Sequence, residues 1–213
     1  MVQKDVTILA GAYRLNAILG LPEKPKGVVL FAHGSGSGRL STRNQFVAGV
    51  LQQHGLATLL MDLLTQEEEA VDNRTRQFRF DINLLSERLI AATEWLKTEP
   101  ELQALPIGYF GASTGAACAL VAAAHYGKAI GAVVSRGGRP DLADTALEEV
   151  RAATLFIVGG NDFGVIELNE QAYKRLQCKK KMEIIAGATH LFEEKGALEL
   201  VAKLSANWFS EQL

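Results

Sequence analysis

Short apolar runs alternate with amphipathic segments along most of the chain, and this alternation predicts the order of its strands and helices. A continuous apolar run bounded by glycine or polar residues is typical of a strand buried on both faces of a parallel sheet. Apolar residues that recur every three or four positions predict a helix instead. The predicted strands cover residues 4–10, 12–21, 27–34, 56–64, 106–111, 129–138, 153–160 and 180–187. The predicted helices cover residues 42–54, 81–97, 113–127, 141–150, 165–177 and 196–213.

This order of elements predicts an α/β fold. The first two strands, on either side of Gly11, predict an antiparallel hairpin. From residue 27 onward strands and helices alternate, which favours a mainly parallel sheet of about seven or eight strands with helices on both faces. The 213 residues fit one domain that spans residues 1–213. The polar segment 65–80 is the one obvious insertion, and we expect a loop or a short helix there.

Composition narrows the classes of function. Hydrophobic residues make up 48% of the chain and charged residues 22%, which is ordinary for a globular protein. The net charge of −2 predicts neither a nucleic-acid nor a membrane partner. The sequence shows no signal-peptide pattern and no uncharged apolar run long enough to span a membrane. Cys118 and Cys178 have no metal-binding or disulfide spacing, so we expect a cytoplasmic protein without a metal or cofactor.

A serine lies between two glycines where a predicted strand meets a predicted helix. The segment GASTGA, residues 111–116, follows the run PIGYF and places Ser113 in a G-x-S-x-G pattern. Side chains at the flanking positions would not fit a sharp strand-to-helix turn, which explains Gly111 and Gly115. Such a turn holds the serine in strained backbone geometry with its hydroxyl exposed. We interpret Ser113 as a nucleophile, and the alternative is a tight turn without chemistry.

A serine nucleophile needs a base and an acid, and both are expected beyond the carboxyl ends of other parallel strands. His190 follows the last predicted strand and is the candidate base. Asp162 lies just past the strand that ends in IVGG and is the candidate acid that orients the histidine. Asp141, after the preceding strand, is the competing acid, although it is also placed to cap the helix predicted at 141–150.

The tetrahedral intermediate of acyl transfer needs hydrogen-bond donors that face its oxyanion. The first predicted donor is the backbone N–H of Thr114, at the start of a helix. The second is the N–H of Ser35 in the loop HGSGSG (33–38), with Gly36 as the reserve donor and a candidate substrate contact. A phosphate cradle is the alternative interpretation of this loop, although it lacks the Lys-Ser/Thr ending of a P-loop.

Taken together, these motifs resemble the α/β-hydrolase superfamily and, more narrowly, the dienelactone hydrolase family. The resemblance rests on FAHGSGSGRLSTRN, DLLTQEEEAVD, GYFGASTGA, VSRGGRPDLA, VGGND and GATHLFEE, and it extends from about residue 5 to 210. It implies the α/β-hydrolase fold and a catalytic triad in the order Ser113, Asp162, His190. Enzymes of the family that open dienelactone carry a cysteine nucleophile where this chain has Ser113. That difference favours the hydrolysis of ordinary carboxylic esters.

The sequence therefore predicts a serine esterase that acts on a short or compact small-molecule ester through an acyl-enzyme. Only the segment 139–152 separates two predicted strands where a lid would be inserted, so we expect a minimal lid. An acyltransferase, thioesterase or amidase would use the same three residues, and a catalytically silent binding module is the remaining alternative. A homodimer is left open.

Charged residues on the predicted loops leave two interpretations open. Four arginines fall at the catalytic end: Arg39, Arg43, Arg136 and Arg139. Guanidinium groups bind carboxylates, so Arg39 and Arg136 are candidate substrate contacts. The alternative is that the arginines pair with acids at 67–69 or 141 and order the loops. Acidic residues favour a helix start, so Glu193 and Glu194 are expected to begin the last helix.

Overall fold

Eight strands form one sheet in the computed structural model, which describes residues 2–213. The strands are β1 (Val2–Ala10), β2 (Tyr13–Leu21), β3 (Gly27–Ala32), β4 (Leu56–Met61), β5 (Ile107–Ala112), β6 (Ile130–Arg136), β7 (Ala153–Gly159) and β8 (Lys180–Ile185). Their spatial order is β1-β2-β4-β3-β5-β6-β7-β8. β1 and β2 form the predicted antiparallel hairpin, and β2 also runs antiparallel to β4. The other neighbours are parallel, so the predicted α/β class is confirmed.

Helices cover both faces of this sheet. Those among residues 2–213 are α1 (Thr42–Gln53), α2 (Gln66–Thr75), α3 (Ile82–Thr98), α4 (Thr114–Tyr126), α5 (Phe163–Arg175) and α6 (Ala197–Gln212). Helices α1 and α6 pack together on one face, whereas α3, α4 and α5 contribute to the core on the other. Within the described range, no helix has the length and apolar character needed to cross a membrane.

Alternating side chains explain how one apolar run contributes to two cores. In β3, Val28, Leu30 and Ala32 join the core beneath α3, α4 and α5. Val29 and Phe31 point to the opposite face and join the core beneath α1 and α6. Each of these five side chains is at most 1% exposed. Burial on both faces is why the run shows no alternation of polar and apolar residues.

The polar insertion at 65–80 is mostly helical. Its helix α2 begins at a capping box, in which the Thr65 hydroxyl accepts from the Glu68 N–H at 3.2 Å and the Glu68 carboxylate accepts from the Thr65 N–H at 2.8 Å. The other oxygen of Glu68 lies 2.8 Å from Nη2 of the buried Arg88 on α3. The Arg88 guanidinium also lies 4.0 Å from the centre of the Tyr13 ring. The insertion is therefore fixed to both α3 and the β1–β2 hairpin.

The segment between β6 and β7 is short and tightly wound. Pro140–Glu149 takes a 3₁₀ form that is interrupted at Asp144, where φ is 43°. A helix is thus present where one was predicted, but in the tighter 3₁₀ geometry. The segment packs against α4 and α5, and its ten residues do not form a large lid.

The prediction that Glu193 and Glu194 begin the last helix was wrong, because α6 begins at Ala197. Glu194 instead accepts hydrogen bonds from the backbone N–H and the hydroxyl of Thr189, at 3.1 and 2.6 Å. These bonds lower the pKa of the Glu194 carboxyl. The acid therefore stabilises the turn that precedes His190 rather than a helix terminus.

Candidate active site

The turn between β5 and α4 holds Ser113 in a backbone conformation that few L-residues adopt. Its φ is 52° and its ψ is −121°, a strain of about 1–3 kcal/mol. A Cβ at Gly115 would overlap the carbonyl oxygen of Ala32, and one at Gly111 would overlap the backbone of Ala116. Only glycine fits at these two positions, which agrees with the steric argument made from the G-x-S-x-G pattern.

Three side chains from three separate loops form one hydrogen-bonded chain. Nε2 of His190 lies 3.3 Å from Oγ of Ser113, and Nδ1 of His190 lies 2.7 Å from Oδ2 of Asp162. These residues follow β8, β5 and β7, whose carboxyl ends meet at one edge of the sheet. When Nδ1 carries the proton and donates to Asp162, Nε2 is an acceptor for the proton of the Ser113 hydroxyl. The geometry suits a serine activated by a general base.

Asp141, the competing acid, lies outside this chain. Its two oxygens accept hydrogen bonds from Nε and Nη2 of Arg139, at 2.9 and 2.7 Å. The backbone N–H of Arg139 in turn donates to the carbonyl of Ser113 at 3.0 Å. Asp141 therefore orders the loop after β6, and it does not cap a helix as the sequence had suggested.

The two predicted oxyanion donors come from neighbouring residues, but one of them already donates a hydrogen bond within the protein. Thr114 is the first residue of α4, so its backbone N–H has no acceptor within the helix. The Ser35 N–H donates to Oγ1 of Thr114 at 3.0 Å, and the two hydroxyl oxygens are also 3.0 Å apart. The Ser35 hydroxyl donates to the carbonyl of Arg79 at 3.2 Å. Ser35 can donate its N–H to an oxyanion only after the bond to Thr114 is broken.

Two cavities flank the Ser113 turn. We call the first the reactive cleft; its lining includes Gly34, Ser35, Arg43, Ser113, Arg136 and His190. Its volume is about 170 Å³, comparable to an engineered cavity of about 150 Å³ that binds benzene. The second, the inner cavity, lies beside Thr114 and is lined by Gly36, Asp72 and Arg79, but not by Ser113. Gly36 therefore faces the inner cavity rather than the reacting atoms.

The reactive cleft also contains residues that sequence reasoning did not select. Ser37, Ser41 and Leu191 contribute to its lining. The serines had only a weak signal, their position in a glycine-containing loop after a strand. Leu191 had no signal beyond its place next to His190.

Three of the four arginines at this edge pair with acids. The pairs are Arg39 with Asp62, Arg43 with Glu193 and Arg139 with Asp141. Arg39 binds Asp62 through both its backbone N–H and its guanidinium, and it does not line the reactive cleft. The proposed substrate contact of Arg39 thus has no geometric support, because Asp62 draws the side chain away. Arg136 lines the cleft and has no acidic partner among residues 2–213.

His33 has a structural place beside the site. Its Nδ1 lies 2.9 Å from the carbonyl of Gly34, and its Nε2 accepts from the N–H of Leu63 at 2.9 Å. Burial lowers the pKa of His33, which favours the neutral ring that this pattern requires. The ring therefore connects the loop after β3 to the loop after β4.

Across the described part of the chain, no group of three or more His, Cys, Asp or Glu side chains is arranged to hold a metal ion.

Comparison with known proteins identifies the class that this fold and site define. The model of the dienelactone hydrolase family matches residues 15–211. The chain therefore belongs to the dienelactone hydrolase family and has the α/β-hydrolase fold. The resemblance inferred from the sequence is confirmed.

Individual relatives carry more than one kind of name. The crystal structure of a dienelactone hydrolase from Anabaena variabilis is 57% identical, with a TM-score of 0.98 over 100% of this chain and 98% of that chain. Est1E from Butyrivibrio proteoclasticus shares the fold, with a TM-score of 0.81 at 18% identity over 98% of each chain. Two strains of Mycobacterium tuberculosis have a protein named "Putative phosphoribosyl transferase" that is 55% identical over 210 residues. The match covers 99% of this chain but 46% of those proteins, so the chain spans about half of their length.

Proposed function

We propose that the protein is a serine hydrolase that cleaves compact carboxylic esters through an acyl-enzyme. The observation that carries the proposal is the hydrogen-bonded chain from Ser113 through His190 to Asp162. Oγ of Ser113 attacks the ester carbonyl carbon while Nε2 of His190 takes the hydroxyl proton, and the Asp162 carboxylate stabilises the imidazolium. The Thr114 N–H donates to the oxyanion that forms, together with the Ser35 N–H once it leaves the Thr114 hydroxyl.

Release of the alcohol and hydrolysis of the acyl-enzyme use the same groups. The tetrahedral intermediate collapses, the carbon–oxygen bond to the alcohol breaks, and His190 gives its proton to the departing alcohol. A water molecule then transfers a proton to His190 and attacks the acyl carbon. Breakdown of the second intermediate returns the proton to Ser113 and releases the carboxylic acid.

Three observations favour this chemistry for a compact ester. The reactive cleft has a volume of about 170 Å³, which suits a small acyl or alcohol group. The segment after β6 is a short 3₁₀ element rather than a large lid. The 57% identical relative from Anabaena variabilis bears the name dienelactone hydrolase. For this chain we propose hydrolysis rather than phosphoribosyl transfer, because the relatives with that name extend far beyond the matched half.

Hydrolysis of 4-nitrophenyl acetate and butyrate by the wild type and by Ser113→Ala tests the proposal. We expect the variant to lose at least about a thousandfold in kcat, since a triad acts as a unit. A fluorophosphonate probe should label folded wild type at Ser113 and leave the variant unlabelled. Equal rates in the two proteins, or no adduct on Ser113, would remove the assignment.

Matched substrates separate the alternative activities that use the same residues. Rates with a butyryl ester, a butyryl thioester and a butyryl anilide rank esterase, thioesterase and amidase activity. Addition of a primary alcohol as acceptor detects acyl transfer through a transesterified product. An ester rate below the thioester or anilide rate would replace esterase by that activity while retaining Ser113 as nucleophile.

A further inference from the structure

A groove lies next to the reactive cleft, between the start of α1 and the segment 192–199. We call it the outer groove; its lining includes Arg43, Phe46, Phe192, Glu193 and Leu198. Its volume is about 440 Å³, within the range of about 300–1,000 Å³ that is usual for small-molecule sites. The Phe46 residue is 41% exposed, so a large apolar side chain faces solvent here.

The outer groove and the reactive cleft meet along a common boundary. Arg43 lines both spaces, and Leu191 lines the cleft while the next residue, Phe192, lines the groove. Nη1 of Arg43 lies 3.0 Å from Oε1 of Glu193, so this ion pair spans the boundary. The Glu193 side chain is 64% exposed, and exposed pairs contribute little to stability. A ligand that extends from the cleft into the groove can therefore displace the pair at small cost.

An ester bound at Ser113 needs space for two groups, its acyl part and its alcohol part. The reactive cleft, at about 170 Å³, is close in size to a cavity that holds a single benzene molecule, so it accommodates one of the two. The inner cavity has a volume of about 30 Å³, which is room for about two water molecules. The outer groove adjoins the cleft and has the volume that the second group requires.

The chemistry at His190 indicates which group enters the groove. Under the proposed function, Nε2 of His190 gives its proton to the alcohol oxygen as the carbon–oxygen bond breaks, so this oxygen must face the histidine. The segment that borders the groove follows His190 directly. The Phe192 N–H donates to the carbonyl of Thr189 at 3.2 Å, which closes the turn that carries the histidine. A chain attached to the alcohol oxygen is thus directed toward the outer groove.

The charges around the groove favour a neutral occupant. Among residues 2–213 its lining has three carboxylates and two cations, contributed by Glu193, Glu194, Glu199, Arg43 and Lys195. A slight excess of negative charge disfavours a carboxylate or a phosphate group in this space. The apolar surface of Phe46, Phe192 and Leu198 instead suits an alkyl or aryl group.

We infer that the outer groove binds the alcohol part of the ester, and that this part is an uncharged, apolar alkyl or aryl group. The inference rests on the proposed function for the orientation of the ester, whereas the groove itself is defined by its lining. Phe46 would then determine specificity by contact with the alcohol chain, without any part in bond making. The acyl group would stay in the reactive cleft.

Two isomeric esters test this orientation. Hexyl acetate and ethyl hexanoate contain the same atoms, but the six-carbon chain belongs to the alcohol in the first and to the acyl group in the second. Phe46→Ala should lower kcat/KM for hexyl acetate by about three- to tenfold, because the chain loses apolar contact, and should leave ethyl hexanoate within about twofold. Phe46→Leu should retain most of the wild-type ratio, because it keeps an apolar side chain.

Leu200→Ala is the matched control for this comparison. Leu200 lies on α6 and is also 41% exposed, but it lines neither the cleft nor the groove. Its truncation should change neither ester. An equal loss with both esters in Phe46→Ala, or a loss confined to ethyl hexanoate, would overturn the inference. So would a dimer, seen by sedimentation, that Phe46→Ala dissociates, because a second copy of the chain would then occupy the groove.

A binding measurement tests the groove without ester hydrolysis. Titration of Ser113→Ala with 1-hexanol should shift the NMR signals of the Leu198 methyl groups to saturation, whereas ethanol at equal concentration should not. Addition of Phe46→Ala should weaken hexanol binding by about three- to tenfold, and addition of Leu200→Ala should not. If wild type cleaves neither ester, the proposed function fails, yet Phe46-dependent hexanol binding still upholds the alcohol site. No saturable shift at Leu198 would refute the site even where both esters are cleaved.

Discussion

Asp162→Asn is the substitution that best separates a working triad from a fortuitous cluster. The carboxylate lies 2.7 Å from Nδ1 of His190 and is largely buried, with its side chain 17% exposed. Asparagine has nearly the same shape but no charge, so the contact stays while the electrostatic interaction disappears. An amide NH₂ facing Nδ1 would also favour the tautomer with its proton on Nε2, which cannot accept the proton of Ser113.

The expected loss follows from the charge that develops on His190. When His190 takes the Ser113 proton, the imidazolium and the Asp162 carboxylate attract each other with charge centres about 4 Å apart. At an effective dielectric constant of about 20 this attraction is about 4 kcal/mol. Loss of it lowers kcat by about a thousandfold, since each 1.36 kcal/mol is about tenfold in rate. The tautomer shift can add up to another tenfold, toward the loss of about 10⁴ known for such a change in a serine protease.

The assay is the steady-state hydrolysis of 4-nitrophenyl butyrate, with thermal unfolding as a check on folding. Asp141→Asn is the matched control, because Asp141 was the rival acid and pairs with Arg139 in a partly exposed ion pair. That control should retain activity within about tenfold, since such pairs contribute about 1 kcal/mol or less. A loss in Asp162→Asn no larger than in Asp141→Asn would refute the assigned order of acid, base and nucleophile.

Three further predictions concern the framework around the site. Gly115→Ala should lower the free energy of unfolding by about 3 kcal/mol in urea titrations, because the new methyl group meets the carbonyl oxygen of Ala32. Glu68→Gln should lower it by about 3 kcal/mol or more, since the buried Arg88 loses its acid. His33 should make stability fall as pH drops below its ordinary pKa of 6.5, because burial lowers its pKa in the folded state and the unfolded chain binds the proton. His33→Gln should remove that part of the loss, measured as the difference in unfolding free energy between pH 8 and pH 5.5.

Control variants for these predictions are available at other positions of the chain. Gly49 lies on α1, and a methyl group added there meets nothing within 4 Å. Gly49→Ala is the control for Gly115→Ala and should not destabilise the protein. Glu67→Gln changes an exposed neighbour of Glu68 and should have little effect on stability. If a control matched its test variant, the corresponding argument from burial would be wrong.

The order of strands and helices was predictable, because a strand buried on both faces of the sheet is a continuous apolar run in the sequence. The apolar run that begins at Gly27 and the run that ends at Gly111 were recognisable as strands without knowledge of their neighbours. The rule that ligands lie beyond the carboxyl ends of parallel strands then selected Ser113, Asp162 and His190. The structure brings these three side chains together. Their catalytic roles remain predictions that the experiments above address.

The pairing of charged side chains was less accessible from the sequence. Arg43 pairs with Glu193, a residue 150 positions away, and such a choice depends on how distant loops meet. The same holds for Arg136, whose lack of an acidic partner among residues 2–213 is visible only when the whole cleft is formed. From the sequence, Arg39 and Arg136 were both candidate substrate contacts. In the structure Arg39 pairs with Asp62, whereas Arg136 does not.

Local hydrogen bonds explain the remaining differences between the predictions and the structure. Glu194 was expected at a helix start because acids favour the helix dipole, but hydrogen bonds to Thr189 hold it in the preceding turn. The Ser35 N–H was expected to be free, yet the Thr114 hydroxyl accepts it. Helix α2 had a readable signal in Thr65 and Glu68, since a threonine followed three residues later by glutamate is a capping-box pattern.

The distribution of the hydrogen-bonded chain over three loops has a consequence for protein synthesis. Ser113 follows β5, whereas its partner His190 follows β8 at the far edge of the sheet, 77 positions later. Chains are made from the N-terminus, so a nascent chain would present the serine well before the histidine leaves the ribosome. Under the proposed function, the hydroxyl would lack its base during that interval and would be a poor nucleophile. Under that mechanism, completion of the sheet and activation of the nucleophile would be a single event, and a chain truncated before His190 would not form the acyl-enzyme efficiently.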